Sequence, residues 1–245
     1  MINDNTKTLV VMGNGPSLKN IDFRTLNDID TFGLNSAYRA YYRMNWWPTY
    51  HGCFDYRVTE SHKEEFRKLT LGSNPIKRFF YLQQVSDSNK LTKITLSGGF
   101  RGPNQEPTWQ KNEDAFYSFQ DGGNSGANAC RVGICMGYKK IILVGVDCNY
   151  KEIVDGAQVK NSSGSDFLQM QETPSSNPNY WFDDYQQKGD VYNLPRASIF
   201  QKPGWEILSK QANKNGIKII NCSEVSQLTC FPKQNINQAL LEKND

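Results

Sequence analysis

Residues able to do chemistry cluster where apolar runs end. Gly13-Asn14-Gly15-Pro16-Ser17-Leu18 directly follows the run Lys7 to Met12 (KTLVVM). Glycines at the carboxyl end of a buried strand permit positive φ and let an anion approach backbone amides. Pro16 suits a first helical turn, and the Ser17 hydroxyl can donate to a phosphate. The segment is not GxGxxG, because Leu18 stands at the third glycine position, nor a P-loop, which needs Gly-Lys-Ser/Thr. A tight turn with a purely structural use is the competing reading. A second constellation, Gly122 to Ala129 (GGNSGANA), offers small residues and free amides at a helix start, with Asn124, Ser125 and Gly126 foremost. Two such helix starts on one sheet edge could bracket a diphosphate, or a phosphate plus sugar. Small residues there also serve plain helix–sheet packing.

Single polar residues at strand ends form a third set. Asn35-Ser36 follows Asp30 to Leu34, Asp55 follows Tyr50 to Phe54, and Asp147 follows Lys140 to Val146, with Asn149 and Tyr150 beyond. Amides and carboxylates at these places commonly hold ribose or base; a carboxylate such as Asp147 is a base, a metal ligand or a structural cap, and spacing alone does not choose. Asp183-Asp184 lies inside the aromatic stretch Tyr180 to Tyr185, where adjacent carboxylates can coordinate a divalent cation or sit in a solvated loop. The two histidines add little: His62 falls in a charged segment and reads as surface, while His51 reads as a packed residue. No Ser/His/Asp set, HExxH motif or cysteine-rich metal site is present.

The elements that must position these residues alternate. Strands are expected at Lys7 to Met12, Asp30 to Leu34, Tyr50 to Phe54, Arg78 to Leu82, Lys140 to Val146 and Ile217 to Asn221. Helices are expected at Ser36 to Met44, Thr59 to Leu69, Asn124 or Ser125 to Met136, Gly204 to Asn215 and Gln234 to Lys243. Strand–helix alternation predicts an α/β fold, a Rossmann-like, mainly parallel sheet with helices on both faces. The polar stretches near 83–120 and 149–200 are too long for structureless loops in a compact domain, so they are expected as insertions folding over a ligand, lid-like, within a single domain spanning 1–245.

Composition narrows the function classes. A charge of +3 suits anionic ligands or a weak membrane-surface attraction but lacks the basic stripe that nucleic acid would require. No apolar run reaches bilayer length, and the N-terminus lacks a signal-peptide core, so a cytoplasmic protein is expected, with peripheral membrane association left open. The six cysteines form no CxxC pair and are read as free thiols.

Several blocks resemble one family. Val10 to Lys19 (VVMGNGPSLK) with Ile21-Asp22, Gly33 to Tyr38 (GLNSAY), and Ser125-Gly126 through Gly137-Tyr138 to Gly145-Val146-Asp147 look like the bacterial sialyltransferases of glycosyltransferase family 42, in the same order. The first block also resembles proteins like the archaeal hydroxymethylpterin diphosphokinase. The sialyltransferase resemblance implies a modified Rossmann domain with a lid, a CMP-activated sialic or related nonulosonic acid as donor, and no required metal or other cofactor. It implies that Asn14 contacts the donor phosphate, that Asn35 and Ser125 hold the cytidine nucleotide or phosphate, and that Asp55 is another donor-contacting polar residue; Gly13, Gly15, Ser17, Asn124, Gly126 and Asp147 are expected around the donor from their places in the two glycine-rich segments and at a strand end. Tyr150 matches a tyrosine that stabilises the leaving phosphate, and Tyr180 or Tyr185 a second. The family's general base is a histidine ahead of the last long helix, yet Tyr180 to Arg196 contains none. Asp183 or Asp184 is the expected substitute, with Lys188 and Arg196 supplying positive charge.

The expected partners are a nucleotide-sugar donor and a glycan or glycolipid acceptor, as in lipopolysaccharide or capsule assembly, with a second copy of the chain left open. The alternatives are a diphosphokinase-like enzyme needing ATP and a divalent cation, and a non-catalytic nucleotide-sugar-binding protein.

Overall fold

The computed structural model describes residues 8–97, 109–111, 117–120, 123–162, 164–195 and 201–242. In chain order its strands are β1 (Thr8–Met12), β2 (Asp30–Leu34), β3 (Tyr50–Cys53), β4 (Arg78–Tyr81), β5 (Leu91–Ser97), β6 (Trp109–Lys111), β7 (Tyr117–Gln120), β8 (Lys140–Val144), β9 (Ala157–Ser162), β10 (Ser165–Met170), β11 (Val191–Asn193) and β12 (Lys218–Asn221). The helices are α1 (Tyr38–Met44), α2 (Tyr56–Ser61), α3 (Lys63–Leu71), α4 (Ser125–Cys135), α5 (Lys202–Lys214) and α6 (Ile236–Leu241). None of the described helices is long and apolar enough to cross a membrane. The six cysteines are free.

Nine strands form one sheet in the order β12-β8-β1-β2-β3-β4-β5-β7-β6, parallel at every pairing except β6 with β7. Side chains alternate across the β1 ribbon, as the period of two requires. Leu9 and Val11 enter a core with Ala127 and Val132 of α4 and Leu208 of α5. Val10 and Met12 enter another with Leu18, Leu26 and Ala239 of α6. Apolar side chains on both faces are why these runs read as nearly continuous hydrophobic stretches.

Successive strands step outward from β1 to β5, and β8 then returns to the opposite flank of β1. The order in which strands are added to the sheet therefore reverses between β1 and β8, and such a switch point opens a crevice beyond the carboxyl ends of the strands.

Some sequence expectations change and others gain detail. The 83–120 stretch does not fold over a ligand as a whole, because β5, β6 and β7 within it lengthen the main sheet. The 149–200 stretch builds a separate antiparallel sheet, β11-β10-β9, whose Leu168 and Met170 pack with Phe79, Tyr81 and Phe66 of the main domain. Finally, the helix expected at Thr59 to Leu69 breaks at His62 (φ −108°, ψ 20°) into α2 and α3. His62 is 1% exposed rather than on the surface. The Tyr38 hydroxyl lies 3.0 Å from its Nδ1, and Asp190 Oδ1 lies 3.4 Å from its Nε2.

Candidate functional site

The floor of the crevice is main chain against main chain. The Gly13 amide donates to Val144 O at 2.7 Å, and the Gly15 amide donates to Gly145 O at 2.8 Å. A Cβ on Gly13 would strike the Gly145 carbonyl, and one on Gly15 would stand 2.5 Å from Asp147 Oδ2. Gly145 itself sits at φ +66°, a conformation glycine adopts without penalty. Ser17 completes the clamp, its amide donating to Asp147 Oδ2 at 2.8 Å and its hydroxyl to Asp147 Oδ1.

These bonds correct the expected anion cradle. The amides of Gly13, Gly15 and Ser17, and the Ser17 hydroxyl, already have partners inside the protein. Asp147, 4% exposed, is the latch that holds the loop after β1 to the loop after β8. Gly15, Ser17 and Asp147 lie beneath the crevice and do not line it.

Above this floor is a cleft of about 740 Å³. The structure brings Gly13, Asn14, Asn35, Asp55, Asn124, Ser125, Gly126, Tyr150 and Tyr185 to its walls. Among the described wall residues, Asn14 and Asn35 have a buried side-chain acceptor without a partner. Asn14 Nδ2 donates to Leu34 O at 3.2 Å and to the Tyr185 hydroxyl at 3.0 Å, which fixes the amide's orientation; Oδ1 is then buried without a partner. Asn35 adopts φ +52°, a left-handed conformation that asparagine tolerates. Its backbone carbonyl lies 3.0 Å from His51 Nε2, and its Oδ1 is also buried and unpartnered. Burial pushes His51 down to about 3, so the ring stays neutral, with the Tyr81 hydroxyl 2.9 Å from Nδ1. His51 therefore positions Asn35 and transfers no proton itself. A buried acceptor without a donor is costly, so ordered water or a ligand group has to complete its bonding.

The start of α4 lines the same cleft. Asn124 caps it, Oδ1 accepting the Ala127 amide at 2.7 Å while Nδ2 donates to Gln201 O at 3.2 Å. Ser125 and Gly126 in the first turn face the cleft at the positive end of the helix. Gly126 has no side chain because a Cβ would come 2.6 Å from the Trp205 ring.

The lid closes the top with tyrosines. Tyr180 stacks on Tyr185 with centroids 3.9 Å apart and planes 13° apart. The Tyr185 oxygen accepts from Asn14 Nδ2 and from the Ser36 amide at 3.2 Å. The Tyr192 hydroxyl lies 3.0 Å from Ser36 Oγ and donates to Asp190 Oδ2 at 3.0 Å. Arg39 grips Asp190 in a fork of 2.5 and 2.9 Å and also donates to Tyr185 O at 2.7 Å. Burial alone would raise the Asp190 carboxyl, but the Arg39 guanidinium, His62 and the Gln187 amide together hold it below the usual range. Burial pushes the Tyr150 and Tyr180 phenols upward, so both remain protonated donors at any working pH.

Asp183 and Asp184 do not reach the cleft. Asp184 pairs with Arg43 at 2.9 and 3.0 Å, and Asp183 is exposed, accepting the Asn177 amide at 3.2 Å. Of the stretch Tyr180 to Tyr185, only Tyr180 and Tyr185 line the cleft. Lys188 is exposed and outside the lining; Arg196 lies outside the described residues. Among the described residues no cluster of three or more His, Cys, Asp or Glu could hold a metal ion. Tyr56, Asp166, Tyr192 and Asn193 line the cleft without having been singled out, since nothing local marks them.

A doubly wound parallel sheet with a polar, tyrosine-roofed cleft at its switch point defines a class: α/β proteins that hold a ligand across the carboxyl ends of their strands. No family model matches the sequence, and no curated protein matches it. Among solved structures, the fold is similar to the monofunctional alpha-2,3-sialyltransferase Cst-I from Campylobacter jejuni, with a TM-score of 0.55 and 18% identity over 95% of this chain and 82% of that one. It is also similar to the MAf glycosyltransferase from Magnetospirillum magneticum AMB-1, with a TM-score of 0.52 and 12% identity over 99% of this chain but 35% of that one. The sialyltransferase CstII from Campylobacter jejuni, in complex with cytidine-5'-monophosphate, matches at a TM-score of 0.49 and 16% identity over 94% of this chain and 86% of that one. At these identities the likeness is one of fold.

Proposed function

We propose that the protein is a glycosyltransferase that moves a sialic or related nonulosonic acid from a CMP-activated donor to a glycan or glycolipid acceptor. The observation that carries this reading is the pair of buried, unpartnered Oδ1 atoms on Asn14 and Asn35, in a cleft that the start of α4 also lines. Acceptors of that kind want donors, which the cytosine amine and the ribose hydroxyls supply. The single phosphate of CMP then meets the Ser125 hydroxyl and the positive end of α4.

The described lining carries the carboxylates Asp55 and Asp166 but no lysine or arginine. Such a wall suits a monophosphate better than a triphosphate, whose extra charges would face those carboxylates. Neutral donors do the electrostatic work in transfer. Tyr150 and Tyr180, held protonated by burial, can donate to the phosphate oxygen as the sugar–phosphate bond breaks. No metal is assigned a role, and a divalent cation belongs only to the ATP-dependent alternative. Assembly of a surface glycan such as lipopolysaccharide or capsule, in the cytoplasm or at a membrane surface, is the setting this chemistry fits.

A thermal-shift panel of CMP, UMP, GMP and ATP tests the reading. CMP should stabilise the fold in EDTA, by about 2.7 kcal/mol at a hundredfold excess over Kd. Stabilisation by ATP alone, and only with magnesium, would overturn it in favour of a diphosphokinase-like enzyme. Binding of CMP-sugars with neither transfer nor hydrolysis would reduce the protein to a carrier.

A further inference from the structure

The cleft holds a carboxylate placed to accept a proton, and it is not either member of the Asp183-Asp184 pair. Asp55 ends the loop after β3 and caps α2, with Oδ1 accepting the Arg57 amide at 2.9 Å, the Val58 amide at 3.2 Å and Asn193 Nδ2 at 2.8 Å. All three bonds fall on one oxygen. Among the described residues no hydrogen bond reaches Oδ2, and Asp55 lines the cleft.

The carboxylate is also held rigidly. Asn193 comes from lid strand β11 and is itself fixed by Arg57 Nε at 3.0 Å, while the Arg57 guanidinium lies 4.5 Å from the centre of the Phe167 ring on β10. Beside it Tyr56 lines the same cleft and is 62% exposed, an aromatic face at the mouth suited to the apolar face of a sugar ring. Neither histidine competes for the role. His51 is fully buried and His62 nearly so, and both are engaged in internal bonds outside the lining.

Resting on the transferase reading above, we propose that Asp55 is the general base of the transfer, its Oδ2 receiving the proton of an acceptor sugar hydroxyl seated against Tyr56. As the acceptor oxygen bonds to the anomeric carbon, the bond from that carbon to the phosphate oxygen breaks. Its electron pair leaves with CMP, and the acceptor proton passes to Oδ2 and afterwards to water. Burial raises the Asp55 carboxyl despite its amide donors, which brings it nearer the working range of a base.

Asp55→Asn is the direct test, because asparagine caps a helix as well as aspartate and keeps the Oδ1 acceptor. Transfer from a CMP-sugar should fall by about 10²–10⁴ in kcat/KM, while CMP still stabilises the fold as in the unaltered protein. The acid limb of the pH–rate profile should vanish in the residual activity. Asp55→Ser, which also caps, serves as a second variant should the first fold poorly. Tyr56→Ala should raise the acceptor KM with little change in kcat. Transfer by Asp55→Asn within a few-fold of the unaltered protein overturns the assignment and leaves the transferase reading standing. Failure of the unaltered protein to bind CMP or to use any CMP-sugar overturns both.

Discussion

Asn14 Nδ2 donates to the phenolic oxygen of Tyr185 at 3.0 Å, joining the floor of the cleft to its lid across 171 positions of chain. The same oxygen receives the Ser36 amide, so one hydroxyl orients a cleft residue and fastens the lid. Tyr185→Phe strands two donors in a buried place. Equilibrium urea unfolding should show a loss of about 1–3 kcal/mol, and CMP affinity should fall because the Asn14 amide is no longer held. Unchanged stability together with unchanged affinity would mean the bond has no such role.

Asp147 is a structural residue here, and its substitution separates stability from ligand binding. Asp147→Asn weakens two charge-assisted bonds to Ser17, a loss of roughly 1.5–3 kcal/mol. The folded fraction should still bind CMP. A variant as stable as the parent that no longer binds would contradict the latch.

At Gly13 a single methyl is expected to matter more. Gly13→Ala sets its Cβ against the Gly145 carbonyl, where backbone on both sides leaves little room to yield. Overpacking of this kind costs about 1–3 kcal/mol or more, and the cleft floor should deform with it. Gly164→Ala is the control: its φ of +76° is strained for alanine, but nothing stands within 4 Å of the new methyl. Calorimetry should show the larger loss, and the loss of CMP response, at Gly13.

Two buried histidines set a pH window. Burial depresses His62 to about 4, opposed by Asp190 and aided by Arg39, and depresses His51 to about 3. An unfolded chain takes up these protons from about pH 6.5 downward, whereas the fold resists them until the lower values. Stability is therefore full above that range and declines as pH falls from 6.5 toward 4, by on the order of 3 kcal/mol for His62 alone. Replacing His62 with glutamine should flatten the slope of unfolding free energy against pH across that window. An unaltered slope would show that His62 is not its source.

The central strands were legible because each is an apolar run closed by a glycine or a polar residue at the sheet edge: β1 before Gly13, β2 before Asn35, β8 before Gly145. The placement of Asn14, Asn35, Asn124 and Ser125 on one cleft followed from their position after strands or at a helix start. Less could be read where packing partners are distant. Every residue of β9 is solvent-exposed or only partly covered, so it shows no periodicity. His62 looked superficial because the lid that covers it lies some 130 residues away. Ser17 and Asp147 each suggested ligand contact, but they satisfy one another across 130 positions, a pairing no local spacing announces. Asp55 was legible as a strand-end carboxylate, whereas its free oxygen depends on Asn193 from the lid.

The touching glycine turns divide the molecule into a part that cannot be retuned and a part that can. Gly13, Gly15 and Gly145 have no side chain to exchange, and a Cβ at any of them meets backbone or Asp147, so the turns beneath the crevice cannot vary without loss of the fold. On the proposed reading, altered acceptor preference would be written at the exposed rim residue Tyr56. A mutagenesis library aimed at new specificity belongs at that rim and nowhere near the turns.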